Sequence, residues 1–183
     1  SLLKVLTGIN PLMFLRKMRE PMLVAFSTSS SGATLPVTLR TVEHRIGVNN
    51  NVAAFAVPLG ATINMDGTAI MQGVATVFIA QFFGYQLGVD ALLMVVLTAT
   101  LASIGTAAVP GVGLITLTLV LDQVGLPVEG IGLIIGVDRL LDMLRTVVNV
   151  TGDGTVATIV AKTEGQLDLE TLQNPTAGAV AET

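Results

Sequence analysis

The chain has 183 residues, 51% of them hydrophobic and only 12% charged, with a mean hydropathy of +0.77. Ordinary globular domains carry about 25% charged residues, so this composition points to the membrane class. A net charge of −4 excludes a basic nucleic-acid footprint, and the lack of Cys excludes disulfides and thiolate metal sites.

The chain opens at Ser1-Leu2-Leu3-Lys4 inside apolar sequence, with no leader pattern. Residues 1–10 are expected to end a preceding transmembrane helix, and the chain to be the C-terminal part of a larger membrane protein. The next block, 11–46, is apolar from Pro21 to Phe26, breaks at Ser27–Gly32 and resumes at Thr34-Leu35-Pro36. Each arm is too short for the roughly 20 residues a spanning helix needs, which predicts a re-entrant hairpin with a Ser/Gly tip.

Residues 52–89 form a second apolar block, interrupted at Asn64-Met65-Asp66-Gly67-Thr68. An ionisable residue inside a membrane segment costs about 2.5–3.5 kcal/mol by insertion scales and marks a candidate functional site. The Gly beside it lets the backbone leave the helix and frees carbonyls for a ligand or ion. The block 91–125 has no charge from Ala91 to Leu121 and carries two small-residue breaks, Ala102–Thr106 and Val109–Gly113. It reads as a second hairpin, whose tip could hinge as a gate. The last apolar block, 131–162, is expected to be a helix interrupted near Gly152-Asp153-Gly154. Residues 163–183 are polar and acidic, and are expected to be a disordered cytoplasmic tail.

Each half of the chain is thus a small-tipped hairpin followed by a broken helix. Paired interruptions of this kind point to a midplane site between inverted repeats. Charge supports the inversion. Arg16, Lys17, Arg19, Arg40 and Arg45 flank the first hairpin, whereas Asp90, Asp122 and Glu129 flank the second. By the positive-inside rule the two hairpins enter from opposite faces. The fold class expected is an all-α membrane protein, with two re-entrant helical hairpins and two broken transmembrane helices in inverted repeat.

The densest chemistry is on the last block. Asp138, Asp142, Arg145, Asn149 and Asp153 follow one another at intervals of 4, 3, 4 and 4 residues, which puts them on one stripe of a helix. Such a stripe faces protein or a water-filled cavity, not lipid. The planar fork of Arg145 suits a carboxylate, and Asp142 suits an ammonium; together they describe a receptor for an acidic amino acid. A tether between neighbouring helices is the alternative for the same pair. Asn64, Asp66, Asn149 and Asp153 are hard oxygen donors suited to alkali cations, or else caps of broken helices. His44, the single His, reads as a solvated loop residue. Gly152-Asp153-Gly154 lacks the alternating acidic ligands of a calcium loop.

Four motifs carry a family resemblance: Ser29–Pro36, Asn64–Thr68, Ala102–Thr106 and Asp142–Asp153. In combination, over about residues 5–165, the chain resembles the dicarboxylate/amino acid:cation symporters, which include the glutamate transporters. The resemblance implies that residues 11–162 form the mobile, elevator-type transport domain. Within it, 11–46 would be hairpin 1, 52–89 helix 7, 91–125 hairpin 2 and 131–162 helix 8. A trimerisation scaffold outside this chain is also implied, with a plasma (inner) membrane, multi-pass location in contact with lipid. Carried over by motif, the substrate contacts would be the tip at Ser29 and Ser31, the tip at Val109 and Gly113, and Thr68, Asp142, Arg145, Thr146 and Asn149. Na+ would be the coupling ion, with no other cofactor. Its ligands would be Gly60, Asn64, Asn149 and Asp153 at one site, and backbone at Thr62, Met65, Ser103, Ile104 and Thr106 at a second. A third would use Asn64 and Asp66 with a helix outside this chain.

The chain departs from the family in one respect. Relatives carry an Arg either where Ser29 stands or where Met143 stands; here neither position has one, and Arg139, four residues before Met143, is the nearest substitute. The function expected is Na+-coupled symport of L-aspartate or L-glutamate by a non-enzyme. Alternatives are proton coupling or a C4-dicarboxylate substrate and, distantly, an intramembrane protease. A protease fits badly: its Ser nucleophile would need a basic partner, and His44 lies at the far end of the hairpin.

Overall fold

In the computed structural model, which describes residues 2–178, the chain is all-helical apart from one isolated antiparallel bridge between Val48 and Leu167. Helices α1 (Leu2–Thr7) and α2 (Pro11–Lys17) lead in. Asn10 caps α2 by accepting from the Leu12 N–H, and Pro11 sits at its first position, where no N–H is needed. Helices α3 (Arg19–Thr28) and α4 (Ser31–Thr41) follow and pack against each other. The reversal between them is two residues long: Ser29 takes a left-handed conformation (φ 53°), and the Ser30 hydroxyl caps α4 by accepting from the Ala33 N–H. A π-helical turn, Val42–Ile46, extends α4 to Gly47.

The second block divides as the sequence predicts. Helix α5 (Asn50–Ile63) stops at Asn64, and α6 (Asp66–Phe82) starts two residues later. Helices α7 (Val89–Ile104) and α8 (Val112–Gln123) pack together, joined by the irregular stretch 105–111. A 3-10 turn, Val128–Leu133, then feeds α9 (Ile135–Thr163).

The expected break at Gly152-Asp153-Gly154 does not occur: α9 runs unbroken for 29 residues. These glycines are there for close approach. A Cβ on Gly152 would come within 2.7 Å of the Asn64 amide nitrogen, and one on Gly154 within 2.6 Å of the Met18 methyl. A glycine costs a helix only about 1 kcal/mol relative to Ala, which contacts on both sides offset.

The expectation of a disordered tail is also corrected up to residue 178; residues 179–183 lie outside the described residues. Asp168 caps a short helix, α10 (Leu169–Gln173), and Leu172 is buried in the same core as Phe14, Met18 and Ile46. The Lys17 ammonium donates to the carbonyls of Arg45, Thr171 and Asn174. Asn49 and Asp168 add backbone bonds to Gln166 and Gly47. Polar composition suggested disorder; one buried leucine and a lysine satisfied by three carbonyls outweigh it.

Two apolar cores result. One joins α2, α3, α5 and the C-terminal half of α9 around Phe14, Met18, Val57, Val150 and Ala157. The other joins α6, α7, α8 and the turn before α9 around Ile79, Val95, Leu117, Leu121 and Ile134. The polar stripe of α9 lies where they meet. Among the described residues no helix is both long and apolar enough to cross a membrane alone.

The docked C-terminal segment predicts that Leu172→Ala lowers stability by about 2–5 kcal/mol, the usual range for a buried Leu lost to Ala. Thermal unfolding of the purified protein checks it; a midpoint equal to that of the parent would mean that α10 does not dock in solution.

Candidate functional site

Site geometry starts from α9. Asp138, Asp142, Arg145, Asn149 and Asp153 are all buried on one face, as their spacing predicts. A buried polar group needs a partner, and here most partners come from places where other helices stop. Asn149 Oδ1 accepts from the Gly67 N–H at 2.8 Å, capping α6 from across the interface. Asp142 Oδ2 accepts from the Gly111 N–H at 2.8 Å, at the N-terminus of α8. Asp153 Oδ1 accepts from the Asn64 amide at 3.2 Å, at the end of α5.

Arg145 is the centre of charge. Its Nε donates to Asp142 Oδ1 at 3.2 Å, and its Nη2 is bonded to the same oxygen. Its Nη1 lies 3.9 Å from Asp138 Oδ1, and neither of these two atoms has a hydrogen-bond partner. Two buried carboxylates thus flank one buried guanidinium, which keeps an unsatisfied N–H. Leaving such a donor unmet costs about 1–3 kcal/mol or more for a charged group, so Nη1 is where the stripe keeps hydrogen-bonding capacity in reserve. Close approach makes room for this side chain: a Cβ on Gly113 would collide with the guanidinium, and a Cβ on Gly67 with the Arg145 carbonyl.

All nine candidate substrate contacts line one small cavity: Ser29, Ser31, Thr68, Val109, Gly113, Asp142, Arg145, Thr146 and Asn149. Met65, Thr106, Ala107 and Ala108 complete its wall. The space is about 20 Å³, room for about one water molecule. The 105–111 stretch closes it on one side. Thr146 turns its hydroxyl to the Asp142 carbonyl, and Ser29 Oγ is buried without a partner.

The candidate cation ligands divide. Gly60, Asn64 and Asp153 converge, since a Cβ on Gly60 would lie 2.7 Å from Asp153 Oδ1. Asp66 lies beside them: its Oδ2 is 3.1 Å from the Cβ position of Gly152. Asn149 is held at one remove, by Gly67 and by Thr68, whose hydroxyl accepts from its amide at 3.4 Å. In the second set, Met65 and Thr106 share the cavity wall, and Ser103 is buried. Thr62 is exposed with its hydroxyl bonded to the Leu59 carbonyl, and Ile104 is exposed. Backbone carbonyl, amide and carboxylate oxygens of these residues are the hard donors an alkali cation takes. Arg139 is exposed, lies outside the cavity wall and makes no ion pair among the described residues.

Gln72 belongs to the site's support and escaped the sequence reading. It is fully buried and donates to Thr116 Oγ1 at 2.7 Å and to the Gly113 carbonyl at 3.4 Å, tying α6 to the start of α8. Its signal was present: between Asp66 and Gln81 at the helix ends, Thr68, Gln72 and Thr76 recur every four residues in an otherwise apolar stretch.

The sodium:dicarboxylate symporter family model matches residues 1–163. An excitatory amino acid transporter of Caenorhabditis elegans is 51% identical over 156 residues, 85% of this chain and 31% of that protein. Human excitatory amino acid transporter 2 is 49% identical over 85% of the chain and 27% of its own length. Excitatory amino acid transporter 5 of Mus musculus is 46% identical over 86% of the chain and 28% of its own length. The chain therefore spans less than a third of the length of these curated relatives.

The cross-helix cap predicts that Asn149→Ala leaves the Gly67 N–H unmet and costs about 1–3 kcal/mol of stability. Denaturant unfolding checks it, and an unchanged midpoint would remove Asn149 from the frame of the site.

Proposed function

Because the chain belongs to the sodium:dicarboxylate symporter family, we propose that it forms the substrate- and ion-binding part of a carrier that moves an acidic amino acid together with Na+. Transport and symport are the family's work, and the relatives are transporters, not enzymes, so the protease alternative falls. The observation that carries the substrate assignment is the buried Asp142–Arg145 pair at the wall of the cavity. A carboxylate on the ligand takes the open Nη1 of Arg145. An ammonium takes Asp142 in exchange for the bonds that hold it now. A plain dicarboxylate has no ammonium and would leave Asp142 facing a like charge, which disfavours it.

Binding needs space that the closed cavity lacks, so the 105–111 stretch moves aside to admit the ligand and returns to cover it. Na+ is a co-substrate in this reading. The residues gathered at the break between α5 and α6, Gly60, Asn64, Asp66 and Asp153, receive it, with Asn64 turning its amide oxygen to the ion in place of the N–H bond it now gives Asp153. Met65 spans that break and also lines the cavity, so filling one site shapes the other; this is the coupling that symport requires.

Residues 11–46 and 91–125 act as re-entrant hairpins of an inverted repeat, and the domain moves as one body against a scaffold that also builds a homotrimer. What supports this part is the family and the two short helix pairs. A membrane location, the plasma membrane in this reading, agrees with the apolar outer surface: Phe55, Val74, Phe82, Leu93, Val96, Leu101 and Ile115 are all more than 60% exposed and suit a lipid bilayer or a scaffold.

The reading is tested with full-length protein in proteoliposomes. An inward Na+ gradient is expected to drive L-aspartate uptake that glutamate blocks and succinate and serine do not. Uptake driven only by a proton gradient would sink the Na+ assignment, and competition by succinate alone would sink the amino-acid assignment. Arg145→Ala is expected to weaken acidic substrate by roughly 30-fold or more, the usual effect of removing a buried charge partner, with the protein still folded. Unchanged affinity in that variant would make the pair a tether.

A further inference from the structure

We infer that Ser30 is a latch, its hydroxyl holding the 105–111 stretch closed over the cavity through the carbonyl of Ala108. Besides bonds to its own flanking helices α7 and α8, that stretch is tied to other elements at two points among the described residues. At one, the Gly111 N–H donates to Asp142. At the other, the Ala108 carbonyl accepts from Ser30 Oγ at 2.8 Å and from the Gly32 N–H at 3.2 Å.

Local chemistry aims the Ser30 hydroxyl. Its oxygen accepts from the Ala33 N–H at 3.1 Å as the cap of α4, which leaves its single proton free to donate outward. The backbone N–H of Ser30 is held by Thr28 Oγ1 at 3.3 Å, and the residue is buried. The capping geometry therefore sets the donor direction. Gly32 completes the seat: a Cβ there would stand 3.2 Å from the Ala108 oxygen, a tight contact that the neighbouring tip relieves by giving a few tenths of an ångström.

The two ties differ in kind. The Gly111 tie uses the carboxylate that a ligand ammonium would claim, so it weakens when the site fills. The Ala108 tie uses no atom of the cavity's charged pair, so a ligand inside the closed site leaves it intact, and it breaks only when the stretch moves aside. Ser30 is thus a positioning residue that keeps the cover in register while Asp142 changes partner. Its meaning as part of a gate rests on the transport reading above; the tie itself is read without any ligand.

The test places nitroxide labels on cysteines introduced at Ala33 and Ile115, both exposed. Full-length protein in nanodiscs is measured by pulsed electron paramagnetic resonance with no substrate and no Na+. Ser30→Ala is expected to raise the long-distance population relative to the short one by roughly 2- to 10-fold, the effect of one ordinary hydrogen bond. Ser30→Ala also removes the cap of α4, so Ser30→Asp serves as the second variant: its carboxylate still caps the helix but has no proton to donate, and it is expected to shift distances the same way. Ser30→Thr keeps a hydroxyl and is expected to restore the parent distribution. A parent-like distribution in either Ser30→Ala or Ser30→Asp would overturn the latch. Failure of the parent to bind aspartate would sink the transport reading and leave the distances to decide the latch.

Discussion

A row of polar side chains on one buried helix, α9, constrains everything around it. Asp142, Arg145, Asn149 and Asp153 sit between two apolar cores and must be hydrogen-bonded or charge-paired there. A continuous helix has no spare backbone groups to offer them; a helix end has four. The structure accordingly brings the start of α6 and the start of α8 against α9, each supplying a backbone N–H to the stripe, and the end of α5 adds the side-chain amide of Asn64. The helix breaks and the polar stripe are two halves of one solution. Either half alone would leave buried polar groups unmet.

The same arrangement forms the candidate site. A buried guanidinium with a carboxylate on each side is costly to desolvate and leaves one donor unsatisfied. A ligand that carries both charges can replace the internal pairing without stranding either partner, whereas a ligand with one charge strands the other. Selectivity in this reading comes from the penalty for an incomplete match more than from added attraction. Close approach of Gly67 and Gly113 to Arg145 restricts where the guanidinium can go, so the exchange is geometrically narrow.

Two sequence expectations failed for physical reasons that periodicity does not carry. Gly152 and Gly154 look like a helix break, yet their lack of a side chain is used to admit Asn64 and Met18. Polar composition after residue 163 looks like disorder, yet Leu172 fills a place in the core and Lys17 finds three carbonyls. In both cases the deciding atoms lie more than 80 residues away along the chain.

The sequence by itself determined the class of the protein, the helix interruption at Asn64–Thr68, the two short helix pairs and the polar stripe of α9. These follow from composition and from local period, which neighbouring residues set. It also contained the motifs behind the family resemblance. Tertiary structure alone decided that residues from Ser29 to Asn149 share one cavity, that Arg145 turns onto Asp142, that Gln72 ties α6 to α8 and that the 105–111 stretch rests on Ser30. Apart from the Arg145–Asp142 pair, which lies one turn apart on α9, those are contacts between segments tens of residues apart, and their geometry is set by how two apolar cores pack around a helix whose polar groups cannot be left unpaired.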